Sequence, residues 1–294
     1  MSSRLSVLQN FSDAHLKRSP FPYLVIENAL PDAIYAELAT SFPSEAVIFD
    51  NHRGKQPGIE YLANTRYDLS AAHLKQNPNL DLGLWREFSE YHTSQEFLDD
   101  FLSKLGDVIE ETHPHIIAAM QKKAPLHKPR AGVRFSDDGK DQCEIALDCQ
   151  IGINSPPKTP MTSVRTAHLD NPVELFAGLL YLRHPDDRSK GGDLDICTWK
   201  TPERKRIGPA RIIDSEDVVI KDSVPYGPNK LALFINSIES IHGVTTREVS
   251  DKPRRLVNII GEVYPTQKRV FSDRRYRQDR SIVGQIKRKV FGLN

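Results

Sequence analysis

A chain of 294 residues, 38% of them hydrophobic, can bury a sizeable core, as one large domain or as a core with an appended flank. With 40 Lys/Arg against 39 Asp/Glu the formal charge is +1, so overall charge offers no argument for binding DNA or RNA. No stretch approaches the ~18 apolar residues of a membrane span, and MSSRLSVLQNFSD does not read as a signal peptide, so a cytoplasmic location is the expectation.

Phe21–Glu27 reads as a strand. Asn28-Ala-Leu-Pro31 then leads into a helix with Pro31 in its first turn and Ile34, Leu38 and Phe42 as its apolar stripe. Further helices are expected near Leu84–Phe101 and Asp107–Lys122, before a proline-containing break over 123–129. From Ala131 the texture changes. Glu144–Asn154 alternates, Leu175–Leu182 is a short apolar run, and Gly191-Gly192 marks a turn before a strand through Ile196. Leu231–Ile235 and Arg255–Tyr264 read as two more strands. Short strands between turns predict a mainly β fold with an α flank, a barrel or double-sheet jelly roll preceded by helical segments. The expected divisions are a strand and helical flank over 1–128, a β-core over 129–265 and a basic tail over 266–294. The tail holds nine Lys/Arg against Asp273 and Asp279. Ile282, Ile286, Val290 and Leu293 at helical spacing favour a helix packed on the body; an arm for an acidic partner, RNA or an anionic membrane is the alternative.

Three cysteines, Cys143, Cys149 and Cys197, lack CxxC spacing, which argues against a disulfide framework or zinc ribbon. Cys149 falls on the alternating 144–154 pattern and reads as a small buried hydrophobe. Among ten histidines, His15, His52, His73, His92, His113, His115, His127 and His184 sit among polar or turn residues and are expected at the surface or in caps. His113 and His115 lie in a helical stretch, where an i, i+2 pair does not share a face. His168-Leu169-Asp170 is different. In an extended segment, i and i+2 point the same way about 7 Å apart, so one imidazole and one carboxylate can converge on a metal. His242, in Ile241-His242-Gly243-Val244, is the candidate third ligand. Two His and one carboxylate on one side of a metal leave positions open, as non-haem iron(II) oxygenases require.

His168-x-Asp170, Gly191-Gly192-x-Leu194, His242-Gly243-Val244 and Arg254-Arg255-Leu256-Val257 stand in the order seen in 2-oxoglutarate/Fe(II) dioxygenases. Over residues 130–265 the chain resembles the prolyl-4-hydroxylase-like branch of that family, with a weaker likeness over Pro20–Pro43. The resemblance implies a double-stranded β-helix core with Fe(II) at one mouth, held by His168, Asp170 and His242. It implies 2-oxoglutarate as chelating cosubstrate, O₂ as oxidant, and succinate and CO₂ as released products. It also implies a cation for the far carboxylate on the strand after the distal His. Arginine suits that task because its planar fork grips a carboxylate with two parallel hydrogen bonds. Arg254 and Arg255 are both candidates, and adjacent strand residues face opposite ways. Arg255 facing inward would bring Val257 and Ile259 with it; Arg254 would bring Leu256, Asn258 and Ile260. The family pattern favours Arg255.

Tyr181 matches a strand where the family places a tyrosine on the same carboxylate. Leu194 is expected to line the cosubstrate pocket, while Gly191 and Gly192 serve a turn. Arg165, Gln150 and Asn154 are candidate substrate contacts at the mouth. The carboxylate of Asp170 favours hydroxylation over halogenation, whose enzymes lack it. The expected substrate is an amino-acid-like small molecule or a peptidyl residue. The loops over 44–80 and 199–230 are expected to shape the mouth, and the basic stretch Lys200–Arg211 reads as a solvated loop. The competing readings are a metalloenzyme that needs no 2-oxoglutarate, and an oxygenase-like binding module using the basic tail.

Overall fold

The computed structural model describes residues 4–52, 58–123, 129–136, 143–159, 163, 165–263 and 269–273. Its strands are β1 (Leu16–Lys17), β2 (Tyr23–Glu27), β3 (Arg66–Leu69), β4 (Ala131–Val133), β5 (Ile145–Asn154), β6 (Glu174–Leu182), β7 (Leu194–Trp199), β8 (Val218–Val224), β9 (Pro228–Ile235), β10 (His242–Val244) and β11 (Arg254–Glu262). The larger sheet runs β1-β2-β9-β6-β11-β5-β3, with β4 added in parallel to β5. The smaller runs β10-β7-β8 and is antiparallel throughout. The two sheets face each other as a double-stranded β-helix, the jelly roll that the short strands predict.

The helices are α1 (Asp32–Thr40), α2 (Glu45–Asp50), α3 (Ala71–Gln76), α4 (Leu84–His92), α5 (Gln95–Thr112) and α6 (Pro114–Lys123). The two long helices expected over 84–122 are three. Ser94 ends the first by capping the next, its hydroxyl accepting from the Phe97 N–H. Pro114 ends the second, because the residue before a proline is driven out of the helical region; His113 sits at φ −136°.

The large sheet is buried on both faces. On one, Ile151, Ile153, Leu233, Val257 and Ile259 pack against Leu38, Trp85, Phe88, Phe97 and Phe101 of the helices. The other carries Ala177, Tyr181, Ala232, Phe234 and Leu256, which meet Leu194, Ile196, Val224 and Tyr226. Residues 4–123 supply β1 and β2 at one edge of this sheet and β3 at the other, so the flank and the β-core share one hydrophobic interior. Cys143, Cys149 and Cys197 are free and buried. No helix among the described residues is long and apolar enough to cross a membrane. Of the basic tail only 269–273 are described, and the Val270 N–H bonds Pro172 O at 2.8 Å; the helix expected over Ile282–Leu293 lies outside the described residues.

Two of the histidines expected at the surface or in caps are buried, His113 while capping the C-terminal end of α5. His92 is fully enclosed, donating from Nδ1 to Phe88 O (2.8 Å) and accepting from the Val7 N–H on Nε2 (3.3 Å). His113 bonds Asn236 O at 2.7 Å. Polar neighbours in sequence misled here, because each ring serves as a neutral tie between distant segments. Burial pushes His92 down to about 3 and His113 to about 4. The unfolded chain therefore takes up protons first. The stability due to neutral His92 is present above pH 6.5 and is lost as pH falls toward its folded pKa. Denaturant unfolding at pH 7 and pH 5 is expected to show His92→Gln retaining about 2 kcal/mol more of its pH 7 stability at pH 5 than the parent does.

Candidate metal centre

The backbone brings the two histidines together. The His168 N–H donates to His242 O (2.9 Å) and the His242 N–H to His168 O (3.1 Å), an antiparallel bridge between the 165–170 segment and the start of β10. Leu169 turns away into an apolar cluster with Trp199, Ile213 and Ile241. Asp170 therefore returns to the side of His168. His168 Nε2 lies 3.6 Å from Asp170 Oδ1, and His242 Nε2 lies 3.5 Å from Asp170 Oδ2. The three ligand atoms all fall within 4.8 Å of one another, a group able to hold a metal ion.

Each ring is aimed by a backbone carbonyl. His168 Nδ1 bonds Thr166 O (2.7 Å) and His242 Nδ1 bonds Ser240 O (3.0 Å). With Nδ1 carrying the proton, Nε2 presents its lone pair to the shared centre. Burial and the neighbouring His168 push His242 down to about 4. Burial alone would raise Asp170, but His242, His168 and Arg165 outweigh it and hold the carboxyl well below its usual range. Neutral imidazoles beside an ionised carboxylate are the forms a cation needs.

The triad opens into a cleft between the sheets, lined also by Arg66, Asn154, Arg165, Ala177, Leu179, Leu194, Phe234, Val244, Arg254 and Asn258. Arg165, Asn154 and Leu194 thus reach the cleft. Gln150 stands at its edge, accepting from Arg66 Nη2 (3.3 Å) and Asn258 Nδ2 (3.5 Å). Tyr181 lies behind the wall, fully buried, with the Arg254 guanidinium 4.8 Å from its ring centroid.

The strand facing favoured from sequence is reversed. Arg254, not Arg255, points into the cleft. Its Nε donates to Gly192 O (2.7 Å) and its Nη1 to Asn154 Oδ1 (3.1 Å). Arg255 lies on the opposite face, 5.0 Å from the Phe42 ring centroid. The helices require an apolar face on β11, and Val257 and Ile259 supply it, which puts Arg255 on that side. Asn258, a polar residue in a central strand, was the available signal for the cleft face. Gly191 and Gly192 both sit at φ +80°, and a Cβ on Gly191 would lie 1.9 Å from Thr246 O. This glycine backbone places the Gly192 carbonyl that holds Arg254.

Arg66 was missed because 44–80 reads as loop. Its signal was the alternation of Arg66 and Asp68 with buried Tyr67 and Leu69. Among the described residues, Arg254 Nη2 and Tyr181 OH are buried without a hydrogen-bond partner, as is Asn258 Oδ1. An unsatisfied buried donor costs about 1–3 kcal/mol. Two such donors together fit the oxygen atoms of an anionic ligand.

No protein-family model matches the chain, and no curated protein matches it. Solved structures similar to it include a prolyl 4-hydroxylase from Phytophthora capsici, at TM-score 0.41 and 14% identity over 82% of this chain and 58% of that one. The chain thus spans little more than half the length of that structure. A prolyl hydroxylase from Trichoplax adhaerens, in complex with a hypoxia inducible factor peptide fragment, is similar at TM-score 0.39 and 11% identity, over 83% and 85% of the two chains. A viral collagen prolyl hydroxylase from Paramecium bursaria Chlorella virus-1, in a 2-oxoglutarate complex, is similar at TM-score 0.37 and 10% identity, over 82% and 95%. Prolyl hydroxylases are thus among the structures to which the chain is similar.

Asp170→Ala is expected to weaken Fe(II) or Co(II) binding by more than the about 10–100-fold typical of outer-shell changes. Anaerobic titration measures it, with circular dichroism to verify folding.

Proposed function

We propose that the protein is a 2-oxoglutarate-dependent Fe(II) dioxygenase that hydroxylates a C–H bond. The observation that carries this reading is that a two-His, one-carboxylate triad shares its cleft with Arg254, whose buried Nη2 has no hydrogen-bond partner, with Tyr181 directly behind that guanidinium. His168, Asp170 and His242 would hold the metal from one side, leaving positions open toward the cleft. Arg254 and Tyr181 would take the far carboxylate of 2-oxoglutarate, and Leu194 would wall the cosubstrate. When bound, ferrous ion and 2-oxoglutarate supply the oxidising chemistry: O₂ delivers one oxygen atom to succinate, formed with loss of CO₂, and the other to the substrate C–H as a hydroxyl.

The chain's own residues do the rest. Thr166 O and Ser240 O keep the imidazoles in one tautomer. The Gly192 carbonyl and Asn154 lock the Arg254 fork before any ligand arrives, so little order is lost on binding. Phe234, its ring 4.4 Å from that of His242, with Ala177 and Leu179, makes an apolar wall that limits water beside the metal. The β-core over 129–265 carries all of these groups, and the helical flank backs its sheet. The substrate is a small molecule resembling an amino acid, or a peptidyl residue.

Anaerobic addition of Fe(II) and then 2-oxoglutarate is expected to give a visible metal-to-ligand charge-transfer band. Arg254→Ala should need about 100-fold more 2-oxoglutarate for half the signal, as loss of a bidentate ionic contact implies, while Arg255→Ala stays within about threefold. Iron-loaded, folded parent without the band would sink the reading and leave a metalloprotein that does not use 2-oxoglutarate.

A further inference from the structure

Arg66, Asn154 and Arg254 are direct partners across β3, β5 and β11. At about 4.8 Å between strands, the Cα atoms of Arg66 and Arg254 stand about 10 Å apart, with their side chains on the same face. Gly152, next on that face of β5, projects no side chain between Asn154 and Gln150, and Arg66 reaches across to Gln150 at 3.3 Å. Arg165 enters the cleft from the other side, beside the metal ligand, with Nη1 3.4 Å from Asp170 Oδ1.

Three guanidinium groups therefore line a cleft whose only lining carboxylate among the described residues is Asp170. The charge of a ferrous ion cancels that of dianionic 2-oxoglutarate. Against the three guanidinium groups stand Asp170, 3.4 Å from Arg165 Nη1, and Asp68, 3.4 Å from Arg66 Nε, so one positive charge is left over and both contacts are loose. Arg66 is half-buried and Arg165 is exposed at the mouth, so the pair can meet an incoming ligand. A cleft with an excess of fixed cations attracts anions and disfavours neutral or cationic ligands.

Resting on the dioxygenase reading, we infer that the substrate is a small anion whose carboxylate or phosphate is held between Arg66 and Arg165, with its reacting carbon toward the metal. Guanidinium forks bind both oxyanions in paired fashion, and both give the same requirement for charge. Asn258, its Nδ2 shared with Gln150 and its Oδ1 unpartnered, stands ready to accept from a substrate N–H or O–H.

The test uses free amino acids, 2-hydroxy acids and phosphate monoesters, each beside its neutral amide or dephosphorylated counterpart. Two signals are read: succinate formed by the Fe(II)/2-oxoglutarate protein, and the thermal shift of the metal-free protein. The expected result is that anions of one class act in both and their neutral counterparts do not. Arg66→Gln and Arg165→Gln should raise the half-saturating concentration about 10- to 100-fold, with Arg66→Lys intermediate. Activity with carboxylates alone or phosphates alone decides between the two oxyanions. Neutral counterparts acting as well as the acids, half-saturation unchanged in both Gln variants, or no shift with any anion would overturn the inference. A missing charge-transfer band beside an arginine-dependent thermal shift would refute the dioxygenase reading and leave the anion site standing.

Discussion

The reciprocal hydrogen bonds between the backbones of His168 and His242 are the constraint on which the site depends. These residues are far apart in sequence, and neither segment is a long strand. The bridge fixes their Cα atoms as a directly opposed pair, so their rings meet at 4.2 Å between centroids. Everything else at the centre follows from small local choices. Leu169 is drawn into the apolar cluster, which returns Asp170 to the metal side, and two carbonyls select the ring tautomers. A shift of one residue in either segment would send a ligand into the core.

The second organising element is β11, which divides its residues between two unlike environments. Val257 and Ile259 complete an apolar floor for the helices, while Arg254 and Asn258 enter the cleft. The cleft face is polar because it meets no protein partner there. Its donors are held in place by Gly192 and Asn154 yet remain incompletely satisfied. Such a combination of rigid placement and missing partners is costly in an empty interior and suits a site built for a charged ligand.

Behind the triad, charge is handled differently. Arg134 is buried among Asp148, Glu174 and Glu262, closest to Glu262 at 2.6 Å. One cation does not neutralise three carboxylates. Burial, followed by repulsion from Asp170, pushes Glu174 up to about 8, so that this group carries a proton near neutrality. A buried ionic cluster of this kind is weak evidence for added stability, since desolvation consumes much of the attraction. It does lock β4 and β5 to the ends of β6 and β11, and so holds the wall from which the cleft is built.

Much of this was legible in the sequence for physical reasons that can be named. Period-two alternation exposed β5 and a short apolar run exposed β6, because a strand between two environments must alternate or be apolar throughout. The HxD spacing singled out two of the three groups that converge, and a lone His in strand texture supplied the third. The sequence could also state that Arg254 and Arg255 face opposite ways. It could not say which faces inward, because that depends on which side of β11 the helices cover. His92 and His113 show the same limit: their neighbours in sequence are polar, and only packing encloses them. Arg66 entered the site because β3 joins the edge of β5 from 84 residues away. Local chemistry thus determined which groups the chain can offer and their order. Tertiary structure decided which of them converge, since burial and strand partners are set by contacts between segments that carry no information about each other in sequence.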